Sequence, residues 1–231
     1  MTATTTSTRY ADLARLLALI PGDPKHPGTD TSTLDVLWIL YDRVLRVSLD
    51  TAEDPARDRF LLSKGHNPDA YYAVLAAKGF IPESWLRDVA GTDSPLGRHP
   101  DRTLVPGVEI SSGSLGHGLP LGVGVAHGLR AQDLPARVYV LLGDAELDEG
   151  SNHEAIGYAG ATGLAGLTAI VVDNRSASHG WPGGIASRFT VNGWTAVTVD
   201  GRDHDAIETG LRAATPDRPH AVVATVAMKR R

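Results

Sequence analysis

Residues 137–174 read RVYVLLGDAELDEGSNHEAIGYAGATGLAGLTAIVVDN. Two apolar runs, RVYVLLG and LTAIVVD, bracket the segment SNHEAIGYAGATG. Apolar runs this short and this continuous, without polar alternation, are expected of strands buried on both faces. The segment between them reads as a helix beginning near Gly150. Strand, helix and strand over on the order of 30 residues make one βαβ unit.

The same alternation continues on either side. Toward the C-terminus, IASRFTVNG predicts a helix, WTAVTVD a strand, HDAIETGLRAA a helix and HAVVATV a final strand. Toward the N-terminus, RFLLS (59–63) predicts a short strand and PDAYYAVLAAKG a helix stopped by Gly79. LGHGLPLGVGVAHGLRA (115–131) predicts a helix whose glycines imply close packing against backbone or ligand. The stretch from Gly91 to Val108 is irregular, rich in Gly and Pro. TSTLDVLWILYDRVLRV (31–47) predicts a longer amphipathic helix with Thr31 or Ser32 as N-cap. YADLARLLAL predicts another, ended by PGDPKHPG. The expected fold is α/β, a parallel β-sheet flanked by helices on both faces. It is expected as one domain over 9–231, after a flexible, Thr-rich N-terminus over 1–8.

Composition narrows the class. Apolar residues at 42% and charged residues at 21% are ordinary for a globular enzyme. A net charge of −5 gives no footprint for nucleic acid. With no cysteine, disulfides, thiolate nucleophiles and zinc–thiolate sites are excluded from these 231 residues. The start MTATTTSTRYADLARLLALIPGD lacks the layout of a signal peptide, and no apolar run is long enough to span a bilayer. A cytoplasmic protein, without membrane or nucleic-acid partners, is the expectation.

In open parallel sheets, ligands bind beyond the carboxyl ends of the strands. Asp144 ends one buried run and Asn174 follows the next, thirty residues later. Neighbouring strand ends can thus aim a carboxylate and an amide oxygen at one point, with a backbone carbonyl such as that of Ser176 as a third donor. Hard divalent cations take such all-oxygen sets and complete them with phosphate and water. Each element alone reads more readily as a turn and N-cap. The joint spacing weakens that reading and leaves both open.

Gly-Asp-X, 28 residues and Asn174 resembles the thiamine diphosphate motif of the transketolase superfamily. Three further segments are similar to that family in order along the chain: KHPGTDTSTLDVLWILY, DRFLLSKGHNPDAYYAVL and GRHPDRTLVPGVEISSGSLGHGLPLGVGVA. In size and pattern the chain resembles the N-terminal, diphosphate-binding subunit of a split, two-component transketolase. The resemblance implies the thiamine diphosphate-binding fold of the PP module, with thiamine diphosphate and Mg2+ (or Ca2+ or Mn2+) as cofactors. It implies Asp144, Asn174 and the Ser176 carbonyl as metal ligands, and His66, Ala145, Glu146 and His179 near the diphosphate end. Gly113, Ser114 and Leu115 would line the aminopyrimidine. His26, His66 and His99 would face the substrate, where an imidazole both donates and accepts near neutral pH. Glu149 and Glu154 match an acidic chain linking two active sites across a dimer. Glu146 and Asp148 read equally as charges at a helix start. His127, His153, His204 and His220 read as surface or core imidazoles, and His117 stands where the family usually has glutamine.

The implied reaction moves a two-carbon ketol unit from a ketose (phosphate) donor to an aldehyde acceptor. The implied partner is a C-terminal transketolase subunit with the pyrimidine-binding and C-terminal domains, in a 2:2 heterotetramer. Without it the chain is expected to be inactive, since the glutamate that activates the cofactor belongs to the pyrimidine domain. Alternatives are a component of a 1-deoxyxylulose-phosphate synthase-like enzyme, a 2-oxoacid dehydrogenase first component, or a non-catalytic binding subunit. Two departures stand out. Ala145 replaces a glycine, which would be costly at positive φ. The sequence closes on TVAMKRR where relatives continue Thr-X-Lys-Gly-X-Gly.

Overall fold

The computed structural model describes residues 9–21 and 31–226. Among the described residues, five strands form one parallel sheet: β1 (Arg59–Leu62), β2 (Val138–Gly143), β3 (Leu167–Asp173), β4 (Thr195–Asp200) and β5 (His220–Thr225). Their order across the sheet is β1-β2-β3-β5-β4. Each observed strand agrees with its apolar run to within one residue at either end.

The α-helices over the same residues are α1 (Leu13–Leu17), α2 (Leu34–Ile39), α3 (Asp69–Ala77), α4 (Gly118–Ala131), α5 (Gly150–Ala161), α6 (Ile185–Thr190) and α7 (His204–Arg212). Alternation along the strands assigns the faces. Val138, Val140 and Leu142 of β2 pack with α4, α5 and α6, through Leu119, Val123, Ile156 and Phe189. Tyr139 and Leu141 point the other way, into a core with α1, α2, α3 and α7, through Leu16, Leu37, Leu75 and Leu211. Each such aliphatic side chain, withdrawn fully from water, contributes about 1.5–3 kcal/mol against chain entropy. The crossovers through α5 and α6 advance along the sheet on one face. The α7 crossover steps back from β4 to β5 and lies on the opposite face, as a single handedness requires.

The helix expected over 31–47 is shorter and begins later. The α-helix starts at Leu34 with Thr33, not Thr31 or Ser32, in the N-cap position, where the Thr33 side chain makes no cap hydrogen bond, and passes into a π-helical turn over Leu40–Val44. Its end has a physical cause: Asp58, buried beside β1, accepts the Arg46 amide at 3.0 Å and the Arg46 guanidinium at 2.8 Å. That pull draws residues 45–48 into an extended path. The expected flexible residues 1–8, and His26, lie outside the described residues.

Candidate functional site

The carboxyl ends of β1, β2 and β3 lie side by side. Gly143 pairs with Val172, so Asp144 and Asn174 leave adjacent strands one residue apart in register. Both are buried, 3% and 4% exposed. Past β3 the chain folds back through Arg175, whose φ is +57° and whose amide donates to Asp173 Oδ1 at 3.0 Å. The turn brings the Ser176 and Ala177 amides onto Asp144 Oδ2, at 2.6 and 3.0 Å, while Ser176 Oγ donates to Oδ1 at 2.6 Å. Asp144 is thus oriented by three donors, fewer than the roughly four acceptor sites of its carboxylate. Asn174 Oδ1 is buried and accepts no hydrogen bond. An unpaired buried acceptor costs about 1–3 kcal/mol and calls for a ligand. Among the described residues no cluster of three or more His, Asp or Glu side chains forms. A cation here would be held by mixed carboxylate, amide and carbonyl oxygens, the set that magnesium accepts.

Ala145 opens a short 3₁₀ turn, Ala145–Asp148, and is not among the residues with positive φ. The strain attached to replacing glycine there does not arise, and the Ala145 amide keeps its place at the strand end. Glu146 is 2% exposed, which excludes the reading of a solvated charge at a helix start. Its Oε1 accepts the Ser63 hydroxyl and the Gly116 amide, the latter at 3.0 Å, and its Oε2 accepts the Gly143 amide at 3.3 Å. Burial pushes this carboxyl above the usual range, opposed by those three donors and by the Lys64 charge. Asn152, wholly buried on α5, donates to the Glu146 carbonyl at 2.6 Å.

His66 and His99 meet at the β1 end. His66 Nδ1 lies 3.4 Å from His99 Nε2, and the ring centres are 5.2 Å apart. Two loops are tied to place them: the Asn67 amide donates to Arg98 O at 3.1 Å, and the Ser112 amide to Pro100 O at 3.2 Å. Gly113 takes φ +138°, and a Cβ there would sit 3.0 Å from His99 Cδ2. Glycine is thus required at 113 by conformation and by the imidazole against it. Ser114 and Leu115 follow and are exposed.

The remaining candidates are less gathered. Glu149 is the N-cap residue of α5, exposed, with its side chain against Gly116. Glu154 is exposed on α5, and His179 is exposed on the loop after Asn174. The histidines read as structural are engaged elsewhere: His153 with Arg188 at 2.7 Å, His204 with Asp35 at 2.8 Å, His127 with Arg130 at 3.0 Å. His220 is fully buried between Thr195 and Gly210 O. Sequence reasoning missed Ser63, Asn152 and Arg188, whose guanidinium is buried and donates to Leu147 O. Nothing in their local sequence distinguishes them, because their partners lie 6 to 83 residues away.

The family described as transketolase, thiamine diphosphate binding domain, matches residues 8–228. The chain is 56% identical to a Rhodococcoides fascians protein named ferredoxin fas2, over 94% of this chain and 72% of that one. It is 36% identical to an apulose-4-phosphate transketolase subunit of Actinobacillus succinogenes, over 86% of this chain and 75% of that one. A solved mutant transketolase from Pichia stipitis, complexed with fructose-6-phosphate, superposes with a TM-score of 0.84 at 28% identity. That match covers 95% of this chain and 36% of the solved one, so the chain spans about a third of that transketolase. With the strand-end cradle and the whole folded length in agreement, the chain belongs to the transketolase family, as its thiamine diphosphate binding domain, and corresponds to the N-terminal subunit of two-component members.

Proposed function

We propose that this chain is the diphosphate- and metal-binding subunit of a two-component transketolase, moving a two-carbon ketol unit from a ketose (phosphate) donor to an aldehyde acceptor. The observation that carries this reading is the unpaired, buried Asn174 Oδ1 one residue out of register with Asp144. Asp144, Asn174 and the Ser176 carbonyl would hold Mg2+, with Ca2+ and Mn2+ sharing the same preference for oxygen. His66 and the Ala145 amide would meet the diphosphate end, and Gly113, Ser114 and Leu115 the aminopyrimidine. When bound, thiamine diphosphate supplies the electron sink that lets a carbon–carbon bond beside a ketone break and re-form.

The chain's own part is positioning and proton handling. At 3.4 Å, the facing nitrogens of His66 and His99 are within hydrogen-bond reach, with the tautomers deciding which ring donates. Such a pair can hold a donor's hydroxyl and pass its proton. His26 is proposed as the third imidazole, and Glu149 and Glu154 as the acidic link between paired sites.

The partner is a subunit carrying the pyrimidine-binding and C-terminal domains. Support comes from the Actinobacillus relative, which is named as one subunit of its transketolase. The surface proposed for it is the outer stripe of α4, continuous with Leu115: Leu121 is 48% exposed, and Gly124 and Gly128 face open space. A 2:2 assembly is proposed by analogy with two-fold symmetric oligomers. The ferredoxin name of the Rhodococcoides relative does not transfer to these residues, since they include no cysteine to ligate an iron–sulfur cluster.

The test is reconstitution. The chain and its pyrimidine-domain partner, with Mg2+ and thiamine diphosphate, should transfer ketol units from ketose phosphates. Turnover by this chain alone would refute the division of labour. Acceptance of pyruvate with ketose phosphates ignored would favour a synthase or dehydrogenase component.

A further inference from the structure

We propose that Glu146 is a positioning residue of the cofactor cradle, its buried carboxylate stapling the 113–118 segment and the end of β1 to the end of β2. The inference rests on the cofactor reading above but concerns a group that lines no open surface. Three donors from three separate segments converge on one carboxylate: the Ser63 hydroxyl, the Gly116 amide and the Gly143 amide. Ser63 Oγ accepts the Gly118 amide at 3.0 Å, so its own proton is committed to Glu146. The network runs without a break from the first turn of α4, through Ser63, to the strand that presents Asp144.

Each stapled segment leads directly to a proposed contact. Ser63 precedes Lys64-Gly65-His66, Gly116 follows Gly113-Ser114-Leu115, and Gly143 precedes Asp144-Ala145. The neighbouring glycines make the arrangement possible. Gly116 takes φ +84°, and a Cβ on Gly118 would overlap Ser63. The Glu146 main chain is fixed as well, by Asn152 beneath it and by Arg188 on the next carbonyl. A carboxylate suits this junction because both oxygens only accept, whereas an amide would turn an N–H toward one of the three donors.

The test compares wild type with Glu146→Gln, Ser63→Ala and the double variant, with Asp148→Asn as control. Two quantities are read: magnesium-dependent affinity for thiamine diphosphate in the complex with the partner, and amide hydrogen exchange at 113–118 in the full chain without cofactor. Glu146→Gln should weaken cofactor affinity about tenfold and speed exchange at Gly116 and Gly118. The KM for cofactor should rise, with kcat at saturation held within about twofold. Ser63→Ala should act in the same direction, and the double variant should be no worse than Glu146→Gln, since both break one network. Unchanged affinity in Glu146→Gln overturns the proposal, and should that variant not fold, unchanged affinity in Ser63→Ala does so. A wild-type complex that binds no thiamine diphosphate overturns the cofactor reading instead; the exchange measurement then decides the staple, and unaltered exchange overturns it.

Discussion

Asp144 and Asn174 end neighbouring strands, yet only one of them is satisfied. Asp144 takes three donors from Ser176 and Ala177, while Asn174 Oδ1 is buried and takes none. Asp144 is held in place by its three donors and keeps acceptor capacity, while Asn174 Oδ1 beside it has all of its own to offer a cation. Asn174→Ala should therefore leave the isolated chain about as stable as before, or slightly more so, because an unpaired buried acceptor is lost. The same substitution should weaken magnesium-dependent thiamine diphosphate binding by at least about 100-fold, read by titration calorimetry. Asp144→Ala should lose binding and stability together, since it strips the partner from the Ser176 and Ala177 amides. Binding unaffected by either change would remove the metal assignment.

Gly122 and Gly124 sit two residues apart on α4 and face opposite surroundings. A Cβ on Gly122 would overlap Val140 of β2, whereas a Cβ on Gly124 meets nothing. Gly122→Ala should cost about 1–3 kcal/mol through overpacking against the sheet. Gly124→Ala should stabilise the isolated chain by about 0.5–1 kcal/mol through helix propensity. Urea unfolding of the two variants checks both signs.

What the sequence made legible follows from what is local. Four strands were readable as apolar runs buried in the sheet, the half-exposed edge strand β4 through its alternating Val and Thr, and the Asp144–Asn174 pair because one βαβ unit fixes its spacing. The helix over 31–47 ends before its periodicity does, where Asp58, beyond the helix in sequence, takes the Arg46 amide and guanidinium. Ala145 looked like strain because only its identity is visible in sequence. Its φ is set by a 3₁₀ turn held by Asn152 and Arg188, neither of which can be placed without the fold. Glu146 looked like a charge at a helix start for the same reason: its three donors come from segments up to 83 residues away.

The surroundings of His220 and His153 predict a fold that weakens as pH falls. His220 Nε2 donates to Gly210 O at 2.9 Å and its Nδ1 faces the Thr195 hydroxyl at 2.7 Å, a neutral tautomer in a buried setting. Burial lowers its pKa below the ordinary 6.5. His153 is lowered as well, by burial first and then by the Arg188 charge. A depressed folded pKa means that the unfolded chain takes up protons first as pH falls. Their contribution is whole above about pH 6.5 and is lost as pH drops below that value. The urea midpoint should fall from about pH 7 toward pH 5, and His220→Gln should flatten part of that slope. A wild-type midpoint that rises over this range, or a variant with the same slope, would contradict the assignment.

The outer stripe of α4 supplies the last test, because it separates folding from assembly. Leu121 is half exposed beside Gly124 and Gly128, so a partner's backbone can approach this face closely. Leu49 is equally exposed, at 50%, but lies on the 3₁₀ turn Leu49–Thr51 ahead of β1 and apart from that stripe. Aspartate at either position is tolerated by the isolated chain, since neither side chain is in the core. Leu121→Asp should raise the dissociation constant for the pyrimidine-domain partner by about 30-fold or more, the scale of a central apolar contact replaced by a charge. Leu49→Asp should leave it unchanged. Sedimentation of the mixed subunits reads the difference directly, with the circular dichroism of each variant matched to wild type. Equal association by both variants would move the partner surface off α4. Equal loss would mean that exposed apolar side chains act nonspecifically and that the stripe has no privileged role.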